Sequence, residues 1–197
     1  MEPKEMNEKK LNWKDNVLLY LHDMIYLLML VLIVFLFIFR IIVVSGDSMK
    51  MTLLDGDYLL LLSNTFYHEP RQGDIVVISK KAFDNGAPIV KRVIATEGQT
   101  VDIDFDSGIV YVDHTPLEEP YINNLTINEE GMDFPLTVDE NCIFVLGDNR
   151  QVSRDSRYPG IGQVDEREIL GKAIFLMVPG NDHGEEPMDF GRIGAIK

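Results

Sequence analysis

Three short stretches of this 197-residue chain carry side chains that could do chemistry together. The first is Ser45-Gly46-Asp47-Ser48-Met49-Lys50-Met51-Thr52-Leu53. A serine hydroxyl is a poor nucleophile at its ordinary pKa and needs a base within hydrogen-bond reach. The second stretch, Ile89-Val90-Lys91-Arg92-Val93-Ile94, offers one. If Lys91 faces a dry interior, desolvation lowers its pKa and leaves a neutral amine able to take a proton. The third is Gly147-Asp148-Asn149-Arg150-Gln151-Val152-Ser153-Arg154-Asp155-Ser156-Arg157, whose alternating charges and hydroxyls could order a network around a site. Each stretch also has a plainer reading. A serine beside a glycine is usually an ordinary turn, a lysine in a strand can face solvent from a sheet edge, and a charged segment can be a solvated loop.

Other chemistries find less support. Cys142 is the only cysteine, so no intrachain disulfide forms, and in Cys142-Ile143-Phe144-Val145-Leu146 it reads as a small buried hydrophobe. The histidines at 22, 68, 114 and 183 are isolated, without the spacing of a metal motif, so no metal and no cofactor are expected. Five basic and five acidic residues precede residue 45, so the whole net charge of −14 falls on 45–197. Such a domain repels nucleic acid.

Several elements must position these residues. Met24 to Phe39 carries no charge, Arg40 interrupts, and Ile41 to Val44 continue the apolar run. As a helix, 24–44 spans about 31 Å at roughly 1.5 Å per residue, matching a hydrocarbon core of about 30 Å. Arg40 would snorkel to the interface. The run is longer than the hydrophobic core of a cleaved leader and lacks a small-residue cleavage site, so a retained anchor is expected. Lys4, Lys9, Lys10 and Lys14 precede it, which places the N-terminus in the cytoplasm and the domain outside the plasma membrane. From residue 56 the pattern is β: strands at 58–62, 75–78, 89–95, 100–105, 109–112, 143–146 and 173–178, with a hairpin turn at Asp106-Ser107-Gly108 and one short helix at 165–170. The expected architecture is mainly β, a single transmembrane helix followed by an all-β, barrel-like domain. The divisions are a cytoplasmic tail over 1–15, an anchor over 16–44, a domain over 45–180 and a loose polar tail over 181–197.

Taken together and in this order, the three stretches resemble the bacterial signal peptidase I family over roughly residues 15–178. The first is similar to its S-G-x-S-M-x-P-T-L block, and Gly56-Asp57 with Arg71-Gln72-Gly73-Asp74-Ile75-Val76 to its next. Lys91-Arg92-Val93-Ile94 followed by Gly98 resembles the block of the general base, and Gly147 to Arg157 the G-D-N-R-x-x-S-x-D-S-R block. The resemblance implies a serine endopeptidase with Ser48 as nucleophile and Lys91 as base. It implies that Ser153 hydrogen-bonds the lysine and that Asp155 and Arg157 form a supporting ion pair. Ile42, Val44, Met49, Leu53, Ile89 and Val90 would line shallow pockets for small side chains, giving cleavage after A-x-A. The partners implied are preproteins bearing signal peptides and the lipid bilayer, met by a monomer.

Two positions depart from the pattern. Met51 stands where the family has proline, and Gly46 stands where some members have a hydroxyl residue. Rival readings fit less well. A self-cleaving repressor with the same pair would carry a DNA-binding helical domain. A sortase-type transpeptidase would carry T-L-x-T-C, whereas Val138-Asp139-Glu140-Asn141 precedes Cys142. Met51 alone favours a non-catalytic, peptide-binding relative.

Overall fold

The computed structural model describes residues 13–185 and 187–196. The chain divides into two compact units that meet at Phe37 and Ile38. Among the described residues the first is formed by one helix, α1 (Trp13–Ile38). Its stretch Asn16–Ile38 is 23 residues of mean hydropathy 2.6, about 35 Å at roughly 1.5 Å per residue, and so long enough to anchor in a membrane. Of the tail expected over 1–15, residues 1–12 lie outside the described residues.

The expected anchor ends too late. Phe39–Val43 is a strand, β1, paired antiparallel with β2 (Tyr58–Ser63) from Phe39 opposite Leu62 to Val43 opposite Tyr58. Apolar content cannot separate the two outcomes. The β-branched Ile41, Ile42 and Val43 lose rotamer freedom in a helix and suit a pleated surface, so the run leaves the helix where a partner strand is available.

The second unit is built on a curled antiparallel sheet. Its other strands are β3 (Ile75–Ile78), β4 (Ile89–Thr96), β9 (Cys142–Leu146), β10 (Val164–Asp165), β11 (Ile169–Val178) and β12 (Gly194–Ala195). The order is β1-β2-β11-β3-β4-β9-β10, with β12 added to β11. A smaller sheet, β7-β6-β5-β8, uses β5 (Thr100–Asp104), β6 (Ile109–Val112), β7 (Thr115–Pro116) and β8 (Leu136–Thr137). The hairpin at 106–108 joins β5 to β6 as expected.

Burial explains why these strands stay in register. β3 is buried at all four positions, which its uninterrupted Ile-Val-Val-Ile requires. In β2, Leu59 and Leu61 are buried while Leu60 and Leu62 are partly exposed, the period of two of a half-covered strand. One core cluster joins Leu59, Leu61, Ile75, Val77, Val90 and Leu176, and it also receives Met49 and Leu53. A second, on the other face, joins Val76, Ile78, Val93, Ile143 and Val145. A third packs the small sheet on Ile94, Phe144 and Leu146.

Two smaller expectations also change. The helix at 165–170 shrinks to a 3-10 turn at Glu166–Glu168, capped by the Asp165 carboxylate, because Ile169 already begins β11. The tail over 181–197 is docked within its described part. Two 3-10 turns and β12 lie there, and Arg192 grips the fully buried carboxylate of Asp57 through both oxygens, at 2.9 and 2.6 Å.

Candidate active site

Ser48 sits on a tight turn between β1 and β2. Gly46 enters it at φ 89°, a conformation glycine adopts without steric cost. The Lys50 N–H donates to the Asp47 carbonyl and the Leu53 N–H to the Met49 carbonyl, closing the turn. Met49 and Leu53, each 1% exposed, plug into the core beneath it. Met51 is left on the surface at φ 90°, a value that proline, locked near about −65°, cannot adopt. The turn therefore follows a backbone path at residue 51 that the family's proline would not permit.

Lys91 approaches from the middle of β4, where its backbone pairs with Val76. It is 2% exposed, and its Nζ lies 2.7 Å from Ser48 Oγ. Burial is the main influence on the amine and lowers its pKa to about 8, against the upward pull of the Asp155, Asp148 and Glu130 carboxylates. The lysine is thus a chemically different group from an exposed one.

The segment 147–157 holds the turn from the other side. The Asn149 N–H donates to the Ser48 carbonyl at 3.0 Å, and its side-chain amide to the Asp47 carbonyl at 3.0 Å. Gly147 is forced by this approach: a Cβ there would fall 2.2 Å from Ser153 Oγ and 2.5 Å from the Ser48 carbonyl oxygen. Asp155 and Arg157, both fully buried, form a two-pronged pair at 2.8 and 2.9 Å, and Asp155 also accepts the Gly147 N–H at 3.0 Å. The hydrogen bond expected from Ser153 to Lys91 does not form. Ser153 Oγ is buried without a partner among the described residues, and the Lys91 amine is bonded to Ser48 Oγ.

The pair makes a testable claim. Removing one partner of a buried ion pair costs about 3–5 kcal/mol, because the other charge is stranded. Asp155→Ala should lower stability by that amount in denaturant unfolding and weaken the chemistry of the Ser48–Lys91 pair with it. A variant as stable and as active as the parent would show that the pair supports neither the fold nor the site.

The expected pocket residues separate into two groups. Ile42, Val44, Ile89 and Val90 line a cleft of about 380 Å³ that opens on Ser48. Met49 and Leu53 do not reach it, because the turn directs both into the core. Val43, Ser45 and Pro88 line the cleft instead and were not anticipated.

A second buried pair was missed as well. Arg92 grips Asp148 at 2.9 and 2.8 Å, stacks 3.9 Å from the Tyr121 ring, and donates to the Gly73 carbonyl. Thr52 on the serine turn donates to the same Asp148 carboxylate at 2.5 Å. This network ties the lysine strand, the serine turn and the 147–157 segment together. The signal available was Arg92 itself, since an arginine inside an apolar strand needs a carboxylate if that strand is central. Arg150 is likewise buried against Glu119 and Thr126.

Cys142 opens β9 and packs at the edge of the small-sheet core. Burial raises its thiol pKa, opposite to what an activated nucleophile needs.

Comparison with known proteins shows the family of the chain. The sequence profile described as signal peptidase, peptidase S26, matches residues 17–178. Signal peptidase I of Bacillus licheniformis is 33% identical over 183 residues, 89% of this chain and 96% of its own length. Signal peptidase I S of Bacillus subtilis is 31% identical over 188 residues, 90% of this chain and 97% of its own. A solved signal peptidase I from Enterococcus faecalis is 31% identical, with a TM-score of 0.43 over 53% of this chain and 96% of that one. The chain belongs to the signal peptidase family, peptidase S26, and is a peptidase.

Proposed function

We propose that the protein is a membrane-anchored signal peptidase I that removes signal peptides from secreted preproteins with Ser48 as nucleophile and Lys91 as general base. The observation that carries this reading is the buried Lys91 amine 2.7 Å from Ser48 Oγ, at the mouth of an apolar cleft. Neutral Lys91 takes the hydroxyl proton as Oγ attacks the scissile carbonyl, and the Ser48 N–H stabilises the oxyanion. The protonated lysine then passes its proton to the leaving amine, which departs and leaves an acyl ester on Ser48. Lys91, neutral again, deprotonates a water that hydrolyses the ester and restores the serine.

The cleft sets specificity. Branched side chains at 42, 44, 89 and 90 line it, and the family resemblance implies that such pockets take small side chains, which favours A-x-A before the cut. The N-terminus lies in the cytoplasm and the catalytic unit outside, following the lysines at 4, 9, 10 and 14.

A precursor expressed in intact cells tests both parts. Ala immediately before the cut should be processed, whereas Phe or Lys there should block processing. Indifference to that residue would overturn the pocket assignment. Protease added outside the same cells should digest residues 45–197 and spare the tail; a protected domain would reverse the orientation.

A further inference from the structure

The family match ends at residue 178, yet the chain beyond it turns back onto the serine turn. Gly180 passes so close to residues 55–57 that a Cβ there would fall 2.0 Å from the Asp55 carbonyl oxygen, and its N–H donates to Asp57 at 2.7 Å. The following turn holds Asp182 and His183 at φ 47° and 61°, left-handed values that project both side chains from a tight loop. Arg192 on Asp57 and the β12–β11 ladder fasten the far end of the segment.

Between these fixed points the segment contacts the chain on each side of Ser48. Just ahead of it, His183 Nε2 lies 3.1 Å from Asp47 Oδ1, and the other ring nitrogen, Nδ1, lies 3.4 Å from Oδ2 of Asp55, further along the turn. Asp55 in turn accepts the Gly46 N–H at 2.8 Å, so one imidazole braces residues 46 and 47 together. Behind it, Lys50 Nζ lies 2.7 Å from Asp182 Oδ2, and Asp182 is 4% exposed with its other oxygen unpartnered among the described residues. Asp47, Asp182 and His183 bring polar atoms within 4.8 Å of one another, a spacing that a cation could use, and the Lys50 ammonium is the cation already there.

We propose that Asp182 and His183 are positioning residues that clasp the Ser48 turn on both sides, and that the His183 half of the clasp closes only when the imidazole is protonated. The proposal rests on Ser48 being the nucleophile. Both ring nitrogens face carboxylates, and only the imidazolium can donate to both. The charged groups around His183 are Asp47 and Lys50 on the serine turn, Asp55 on the turn before β2, and Asp182 and Glu185 on its own segment. The hydrogen bond to Asp47 and the field of Asp55 raise the imidazole above its usual 6.5. A raised value means that this half is closed below the shifted pKa and loosens as pH rises through it. Lys91 works in the opposite sense, since its active form appears as pH rises.

The test compares wild type, His183→Gln and Asp182→Asn in the full-length protein, using steady-state precursor cleavage across pH and hydrogen exchange over residues 46–53. His183→Gln should lower kcat by about two- to fivefold near pH 6, the reach of an exposed ion pair, and converge on wild type as pH rises through the raised imidazole pKa. Asp182→Asn should lower kcat by a factor that does not vary over that range. KM should stay unchanged in both, because neither residue lines the cleft, and exchange over 46–53 should quicken in both. A His183→Gln effect that is flat with pH, or exchange over 46–53 at the wild-type rate, would overturn the clasp. Exchange reports on the turn independently of its chemistry. Unchanged exchange with an inactive Ser48→Ala therefore sinks the clasp alone, whereas an active Ser48→Ala sinks the nucleophile assignment.

Discussion

Ser48→Ala should abolish precursor cleavage, a loss of at least about 10³-fold, while the protein stays folded. The substitution removes only Oγ. The turn keeps its hydrogen bond from Asn149 to the residue 48 carbonyl, its Met49 and Leu53 plugs, and the tie from Thr52 to Asp148. Lys91 loses its hydroxyl partner, so unfolding free energy should change by no more than about 1–2 kcal/mol. Cys142→Ala should leave the rate nearly unchanged, because that thiol sits at the edge of the small-sheet core and burial raises its pKa, away from a reactive thiolate. Cleavage that survives Ser48→Ala, or that is lost on alkylating Cys142, would point to a different nucleophile.

Much of this geometry could be read in the sequence where chemistry and pattern were both local. Ile75–Ile78 is an apolar run bounded by a turn signal, and it is β3 with the same bounds. Asp106-Ser107-Gly108 is a turn between two alternating runs, and it closes the β5–β6 hairpin. The features that escaped depend on contacts distant in sequence. Nothing local shows that Met49 and Leu53 turn inward while Ile42 and Val44 line a cleft, because the facing of a turn is decided by the sheet beneath it. Arg92 and Asp148 are 56 residues apart, and their pairing becomes visible only once β4 and β9 lie side by side. The strand at 39–43 was hidden because membrane helices and buried strands draw on the same apolar residues. The docked C-terminal segment was hidden because its polar, glycine-rich composition is that of a loose tail, and because Asp57, which anchors it through Arg192, lies 135 residues earlier in the chain.

Lys91→Arg should be as inactive as Lys91→Ala, although it keeps a long cationic side chain. A guanidinium stays protonated throughout the working pH range and cannot accept the Ser48 proton. His at 91 should retain partial activity, since an imidazole can act as base. The wild-type amine differs from a surface lysine by degree of ionisation. With a pKa of about 8, about one molecule in ten carries neutral Lys91 at pH 7, against about one in 2,500 for an exposed lysine of pKa about 10.4. The deprotonated form is the active one, so activity is lost as pH falls through that value. The direct measurement is kcat/KM for precursor cleavage as a function of pH, beside the activity of Lys91→Arg. The account predicts a rise of about tenfold per pH unit that levels near pH 8, together with an inactive arginine variant. An active Lys91→Arg protein, or a profile whose only ascending limb lies near pH 4, where a carboxylate titrates, would contradict it.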